Sequence, residues 1–292
     1  MTEFEFLFTP FIACLLLALV NVYFGIHVIK REIIFIDIAL AQIAALGSAL
    51  AMVIFHASHP DAAHEHDTHN AFTYLFSLGF IVAAAIVFTL LKNKKITIPL
   101  EALIGIAYAL ATTGTVIILD KGAGGDVHVH DMLVGSILWV SWHQITRLFA
   151  AILVVGIIHF VFRKKFLNLS DTYFENGNVI KNKILWDFLF YLSFGIVVIE
   201  AVNVAGILTV FAFLIIPASL SSIFVKNWWT KIWFGWTLSI IISIIGLYAS
   251  WKMDVPCSPV IIVLLGAALV LSLLLKYLLI IKTKYNGKLN KL

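Results

Sequence analysis

The sequence predicts an all-α protein that crosses a membrane several times. Of its 292 residues, 62% are hydrophobic and only 12% are charged, whereas soluble globular domains carry about 25% charged residues. Apolar runs long enough to span a bilayer recur along the whole chain, and lysines and arginines gather in alternate turns between them. These observations favour a polytopic helical bundle over a secreted protein or one with a single anchor.

Nine apolar runs are candidate membrane spans, since a helix needs about 20 residues to cross the hydrocarbon core. The first run lacks a positively charged start and a small-residue cleavage site, so we interpret it as a span and not as a signal peptide. Eight or ten crossings are the alternatives to nine. The runs are residues 4–29, 33–55, 72–91, 98–119, 145–162, 184–202, 207–225, 232–251 and 260–281.

The basic residues give this bundle a direction. With the N-terminus outside, sixteen of the 20 lysines and arginines fall in turns or a tail on the cytoplasmic side, as the positive-inside rule describes. The C-terminus is then cytoplasmic, and we attribute the net charge of +4 to this asymmetry and not to a nucleic-acid partner. The sixteen are Lys30, Arg31, Lys92, Lys94, Lys95, Arg163, Lys164, Lys165, Lys181, Lys183, Lys226, Lys231, Lys282, Lys284, Lys288 and Lys291.

Two loops on the predicted outer side are rich in histidine. Residues 56–70 combine five histidines with three carboxylates, and residues 124–131 contain a His-x-His pair. Imidazole suits zinc, copper and nickel, and carboxylates extend the range to manganese. We predict that the loops capture a divalent metal, whereas the alternative is a solvated or pH-sensitive loop. The candidate ligands are His56, His59, His64, His66, His69, His128 and His130.

Three polar side chains within the runs are candidates for lining a metal path. Asp37 and Glu200 are carboxylates, and an ionised acid at a helix centre costs about 2.5–3.5 kcal/mol in the membrane. Gln42 lies near the middle of its run. The alternatives are that Asp37 pairs with Arg31 near the interface, that Glu200 lies at the outer end of its span, and that Gln42 bonds to a neighbouring helix.

Other patterns receive structural interpretations. The stripe of Ala41, Ala45 and Ala49 is typical of a helix-packing face more than of a pore lining. His27 and His159 lie near the predicted inner ends of their helices, so we expect both at the interface.

Two regions depart from simple spans. Residues 132–162 are too long for one crossing, which predicts either a cavity wall with irregular backbone or a short helix lying on the surface. Residues 163–183 form the longest polar interruption on the cytoplasmic side, and they predict a short amphipathic helix that either rests on the membrane or docks a partner.

Enzymatic motifs are missing from the sequence. There is no Gly-x4-Gly-Lys-Ser/Thr loop, no His-Glu-x-x-His and no Gly-x-Ser-x-Gly, so ATP hydrolysis by a P-loop is excluded. Cys14 and Cys257 form no Cys-x-x-Cys motif, which argues against a disulfide scaffold or a thiolate metal site. We predict no permanently bound cofactor, and energy for transport would come from another chain.

Four stretches resemble the membrane permease subunit of ABC importers for zinc, manganese and related ions. Residues 202–219, VNVAGILTVFAFLIIPAS, are similar to that family's Gly-rich turn and Ile-Pro-Ala helix. Residues 132–141, MLVGSILWVS, resemble its Gly-Ser-Ile-Leu segment, and residues 30–47, KREIIFIDIALAQIAALG, its basic turn and Asp-bearing helix. Residues 254–260, DVPCSPV, resemble its penultimate loop.

The resemblance implies a single permease domain over residues 1–292 in a bacterial cytoplasmic membrane. It also implies a homodimer that works with two cytoplasmic ATPases and an extracytoplasmic metal-binding protein. Residues 163–183 would be the segment seated in the ATPase, with Leu169, Asp171, Tyr173, Glu175 and Gly177 as the candidate coupling residues.

One departure bears on the metal. The family commonly has a histidine one turn after the helix-two aspartate, but the corresponding residue is Ala41 or Gln42 here. The sequence alone also leaves two other functions open. One is a stand-alone metal carrier, and the other is a membrane sensor or scaffold that transports nothing.

Overall fold

The computed structural model describes residues 3–58, 71–93, 98–119, 135, 137–171 and 182–289, and these ranges contain helices and turns but no strand. One 3-10 turn, Ile137–Trp139, precedes the fifth α-helix. The α-helices are α1 Glu3–Lys30, α2 Ile36–Ser58, α3 Ala71–Asn93, α4 Leu100–Leu119, α5 Trp142–Val161, α6 Arg163–Asp171, α7 Lys183–Ala205, α8 Ile207–Phe224, α9 Trp228–Met253 and α10 Cys257–Leu289.

Nine of these helices, all except the nine-residue α6, are long and apolar enough to cross a membrane. The predicted all-α, nine-span, multi-pass fold is therefore confirmed over the described ranges. Most helix ends fall within a few residues of the predicted ends. The largest difference is α10, which continues to Leu289 where the sequence predicts an end at residue 281.

Burial divides the bundle into inner and outer helices. Helices α1, α2 and α7 are the most buried of the nine, while α4, α5 and α10 expose most of their apolar side chains, as a lipid-facing helix does. Helix α1 packs on α8 and α9, α7 packs on α3 and α5, and α2 packs on α3 and α4. The predicted alanine stripe is buried, with Ala41, Ala45 and Ala49 each at most 5% exposed.

A tight turn joins α7 to α8. Gly206 has a positive φ of 77° and its N–H donates to the Val202 carbonyl at 2.8 Å. Gly135 also has a positive φ, 64°, and a Cβ at that position would lie 2.2 Å from the carbonyl carbon of Ala205. The backbone at residue 135 therefore rests directly against the α7–α8 turn, where a larger residue would not fit.

The region before α5 is a packed connection. Ile137 in the 3-10 turn is fully buried, so the described part of this region is not a helix lying on the surface. Helix α5 then begins at Trp142, three residues before the predicted start. Ser141 and Gln144 form a capping box at this end, which satisfies the first free N–H groups of the helix.

Candidate functional site

Polar residues gather at two ends of the bundle. We call the end that carries Lys30, Arg31 and Lys92 the lysine-rich end, and the end that carries Arg147 and Glu200 the cavity end. Which end faces the cytoplasm stays a prediction from the sequence.

Asp37 lies in the first turn of α2. It is only 2% exposed, and neither carboxyl oxygen makes a hydrogen bond within the described residues. The backbone N–H groups of Asp37 and Ile38 interact with the carboxyl group without reaching hydrogen-bond geometry. A helix N-terminus favours an acidic side chain, yet the carboxyl group keeps oxygen atoms that a cation could use.

Arg31 does not supply the predicted local partner for Asp37. Its guanidinium donates to Ser170 Oγ at 2.9 Å and lies 3.4 Å from Asp187. Gln42, the other candidate on α2, is 4% exposed. A rotation of about 100° per residue places Gln42 on a different face of α2 from Asp37.

A cavity opens between α2, α3, α5 and α7 at the cavity end. Its volume is about 80 Å³, enough for several water molecules at roughly 10–15 Å³ each by the same measure. Ala41 lines it and lies one turn beyond Asp37, so the two share a helix face. The lining residues are Ala41, Ala44, Ala45, Ser48, Thr73, Tyr74, Ser77, Arg147, Ile199, Val202 and Asn203.

Glu200 is held beside this cavity by an arginine that the sequence interpretation left without a role. Arg147 Nη2 donates to Glu200 Oε1 at 2.8 Å, and the Glu200 side chain is 6% exposed. The Arg147 guanidinium also lies 5.4 Å from the ring centre of Tyr74. A cation that used Glu200 Oε1 as a ligand would compete with Arg147, and the role of Glu200 as a ligand stays a prediction.

The predicted histidine ligands cannot be placed as a group. His56 falls in the last turns of α2, and its side chain lies outside the described residues. The other six, His59, His64, His66, His69, His128 and His130, also lie outside them. Among the residues that the structure does describe, no three histidine, cysteine, aspartate or glutamate side chains form a metal-binding group.

The lysine-rich end contains a buried ionic cluster. The side chains of Arg31 and Asp187 are both 0% exposed, and Lys92 Nζ lies 2.5 Å from the same Asp187 oxygen. The Arg31 guanidinium also lies 3.6 Å from the ring centre of Phe190. We call Arg31, Lys92, Ser170 and Asp187 the inner cluster. It joins the end of α1 to α3, α6 and α7.

Two histidines are buried around this cluster, so their predicted interfacial position is wrong. His27 is 0% and His159 is 4% exposed. His27 Nδ1 lies 2.7 Å from Ser170 Oγ, and the His159 ring stacks on Phe166 with centroids 3.9 Å apart. Both His159 nitrogens have hydrogen-bond partners, Tyr23 at 3.0 Å and Ser193 at 2.8 Å, whereas His27 Nε2 has none within the described residues.

Helix α6 covers the inner cluster with one face. Phe166, Leu169 and Ser170 are buried while residues 163–165 are exposed, which confirms a short amphipathic helix over residues 163–171. Of the predicted coupling residues, Asp171 is exposed and pairs with Lys30, whereas Leu169 is buried inside this chain. Tyr173, Glu175 and Gly177 lie outside the described residues.

Asp187 is the functional candidate that the sequence analysis missed. It lies within the apolar run at residues 184–202, so the rule that selected Asp37 and Glu200 selects it too. Its position near the basic end of the run made it resemble a solvent-exposed residue.

A comparison with known families matches the model of the ABC 3 transport family over residues 3–276. The chain belongs to the ABC 3 transport family. This match confirms the family that the four sequence stretches resemble.

Curated relatives of this ABC 3 family chain are distant. A Chlamydia trachomatis protein named "probable metal transport system membrane protein" is 26% identical over 179 residues, which cover 60% of each chain. The match therefore spans 60% of the length of that relative. A Listeria innocua protein, manganese transport system membrane protein MntC, is 26% identical over 208 residues, covering 69% of this chain and 71% of the relative.

A solved structure, PsaBC from Streptococcus pneumoniae in complex with Fab, shares the fold. The match has a TM-score of 0.74 at 19% identity and covers 92% of this chain and 91% of the matched chain. At this level of identity the likeness establishes the fold of this ABC 3 family chain, and its cargo is a separate question.

Proposed function

We propose that this chain is the membrane permease subunit of an ABC importer that carries a divalent transition-metal ion into the cytoplasm. The observation that carries the proposal is Asp37, a carboxyl group that is 2% exposed and has no hydrogen-bond partner within the described residues. Burial of such a group is costly without a partner. A passing cation provides a partner during transport.

The cavity supports a route from the cavity end toward Asp37. Its lining includes Ala41 and Ala45 on the helix that Asp37 begins. Small side chains leave room for an ion that keeps part of its hydration shell. The positive charge of Arg147 repels cations that enter the cavity. Its ion pair with Glu200 blocks the route until a metal ion competes for the Glu200 carboxylate.

We propose zinc as the first candidate for the transported metal ion and manganese as the second. Histidine-rich loops suit zinc, and they would concentrate the ion at the cavity end. Asp37 offers only oxygen atoms, which suit manganese as well, and the Listeria relative is named for manganese transport. Gln42 could add an amide oxygen only if α2 rotates, because it faces away from Asp37.

The proposed partners are a cytoplasmic ABC ATPase, an extracytoplasmic metal-binding protein and a second copy of this chain. No P-loop is present in the sequence, so ATP hydrolysis requires a separate subunit. Helix α6, with Asp171 exposed, would seat in that subunit, and Tyr173, Glu175 and Gly177 would extend the contact. The lysine-rich end would then face the cytoplasm, with both that helix and the C-terminus inside.

The test is metal uptake into proteoliposomes. One preparation contains this chain alone, and the other contains it with its ATPase and metal-binding protein. Each is offered Zn²⁺ and Mn²⁺ separately, with and without ATP. We expect ATP-dependent uptake only in the second preparation.

The other outcomes identify the competing functions. Uptake by the chain alone would favour a stand-alone carrier. No uptake in either preparation, while the chain still binds a partner protein in a metal-dependent way, would favour a sensor or scaffold.

A further inference from the structure

The inner cluster connects α6 to the start of α2. Arg31 is the first residue after α1, and its side chain reaches Ser170 on α6 and Asp187 on α7. All three residues are at most 2% exposed. A buried ionic contact of this kind has fixed partners, because each charge lacks access to water as a substitute.

The backbone around Arg31 is tightly closed. Its N–H donates to the carbonyls of His27 and Val28 at 3.1 and 3.2 Å, and the N–H of Ile33 donates to Val28 at 3.3 Å. Glu32 adopts a positive φ of 52°, which ends α1 sharply. The N–H of Ile36, the first residue of α2, donates to Ile33 at 3.2 Å. These hydrogen bonds link the end of α1, where Arg31 lies, to the first turn of α2.

Asp37 lies in that first turn. Only six positions separate it from Arg31, and no described residue other than its own helix end holds its carboxyl group. The orientation of Asp37 therefore depends on where the α1–α2 turn holds α2.

We propose that Arg31 is the positioning residue that couples α6 to Asp37. In this account α6, the end of α1 and the start of α2 move as one unit, with Ser170, Arg31 and Asp187 as the connection. Movement of α6 by the ATPase then changes the position of the Asp37 carboxyl group. The inference rests on the proposed function, since it describes how that function is driven.

A purely structural role for Arg31 makes a different prediction. If the cluster only stabilised the fold, its loss would lower the amount of folded complex without changing how efficiently each complex works. The decisive quantity is therefore the number of metal ions imported per ATP hydrolysed, normalised to folded complex.

The experiment uses the reconstituted complex with Mn²⁺ and Zn²⁺ and compares Arg31→Met with Lys30→Met. Arg31→Met removes the guanidinium N–H groups that contact Ser170 and Asp187, while Lys92 still neutralises the charge of Asp187. We expect the ratio of ions to ATP to fall about fivefold or more, the lower end of typical coupling between sites. Lys30→Met removes the neighbouring charge, whose pair with Asp171 is solvent-exposed, and should leave the ratio near the wild-type value.

Two milder variants keep the test decisive if Arg31→Met fails to fold. Arg31→Lys retains the charge but cannot reach Ser170 and Asp187 together with one planar group. Ser170→Ala removes the contacts of Arg31 and His27 with α6 and leaves the Arg31–Asp187 contact in place. Both should lower the ratio, and a wild-type ratio in both would overturn the proposal.

A crosslink between the end of α1 and α6 distinguishes a loss of coupling from a loss of stability. Lys30 and Asp171 side chains are in contact, so Lys30→Cys with Asp171→Cys can be joined by a short polar thiol crosslinker, while Cys14 and Cys257 are buried. Compared with the same double-cysteine protein without crosslinker, crosslinking should restore the ratio in Arg31→Met and should not lower the ratio in the protein that keeps Arg31. Inhibition of the Arg31 protein would mean that α6 slides along α1 during transport, which contradicts the proposal.

These results are distinct from failure of the proposed function. If the wild-type complex shows no ATP-dependent import, the function is wrong. If it imports metal and every Arg31 and Ser170 variant keeps the wild-type ratio, only the coupling role is wrong.

Discussion

The two ends of this bundle use the same kind of contact in different surroundings. At the lysine-rich end Asp187 is 0% exposed and shared by Arg31 and Lys92. At the cavity end Glu200 has one arginine, Arg147, whose side chain is 23% exposed and lines a cavity. A charge surrounded by protein has no substitute for its partner, whereas a charge beside a cavity can exchange its partner for water or an ion.

This difference assigns the ends different mechanical roles. The inner cluster joins the end of α1 to α3, α6 and α7 and holds them as one body. At the cavity end Arg147 on α5 pairs with Glu200 on α7 beside the cavity, and Gln144 on α5 donates to the Asn203 carbonyl of α7 at 3.2 Å. The proposed import mechanism requires both properties: a rigid end where the proposed ATPase docks and an adaptable end where the metal ion enters.

The largest expected effect comes from breaking the inner cluster. Asp187→Ala leaves Arg31 and Lys92 buried without their carboxylate, which should cost about 3–5 kcal/mol of unfolding free energy. Chemical or thermal unfolding in detergent measures it. The control is Asp171→Ala, which breaks an exposed pair and should cost about 0–1 kcal/mol. Equal losses in the two variants would remove the distinction between the inner cluster and an ordinary surface pair.

The second prediction concerns the rate of metal import and not the stability of the protein. Asp37→Asn preserves volume but removes the charge, and metal import should fall by at least the roughly 10–100-fold that even outer-shell partners of a metal contribute. Unfolding free energy should change little, because the Asp37 carboxyl group makes no hydrogen bond within the described residues. The matched control is Asp254→Asn, an acid-to-amide change at an exposed residue outside the proposed path and the proposed ATPase contact. Wild-type import by Asp37→Asn would remove Asp37 from the path.

A third prediction tests the packing at the α7–α8 turn. Gly135→Ala adds a Cβ 2.2 Å from the Ala205 carbonyl carbon at a φ of +64°, and the conformation alone should cost about 1–2 kcal/mol. In Gly105→Ala the new Cβ meets no atom within 4 Å. That control should stabilise the helix by roughly 0.5–1 kcal/mol. Destabilisation by Gly105→Ala, or none by Gly135→Ala, would contradict the described packing.

The smallest effect on stability is expected at the cavity end. Arg147→Gln releases Glu200 beside a cavity large enough for water, so unfolding free energy should fall by about 1 kcal/mol. Metal should bind more tightly because Glu200 no longer has an internal cation, and a titration with Mn²⁺ measures this. A loss as large as that of Asp187→Ala would show that the two ends are equally closed.

The sequence predicted the helices well because each one is a long apolar run with basic residues at one end. It predicted the family from four stretches that resemble the family's motifs, and the family model matches residues 3–276. These features lie within short stretches of sequence, so they can be recognised without knowing which distant residues pack together. The start of α5 was predicted three residues late because the Ser141–Gln144 capping box extends the helix into polar sequence.

The inner cluster could not be predicted, because its partners are far apart. Arg31 and Asp187 are separated by 156 positions, and Arg31 by 139 from Ser170. The positive-inside rule correctly groups Arg31 with Lys92, but it concerns the side of the membrane and not burial. The sequence analysis places His27 and His159 at the interface because position along a helix, like the positive-inside rule, gives no information on burial.

The account depends most on the two ends facing opposite sides of the membrane. Single cysteines at exposed positions, Asp171→Cys beside the inner cluster and Asn203→Cys at the cavity, can be labelled in intact cells with a reagent that does not cross the membrane. We predict labelling of Asn203→Cys from outside and of Asp171→Cys only after the membrane is opened. Labelling of both from the same side would contradict a route for metal from the cavity to the lysine-rich end.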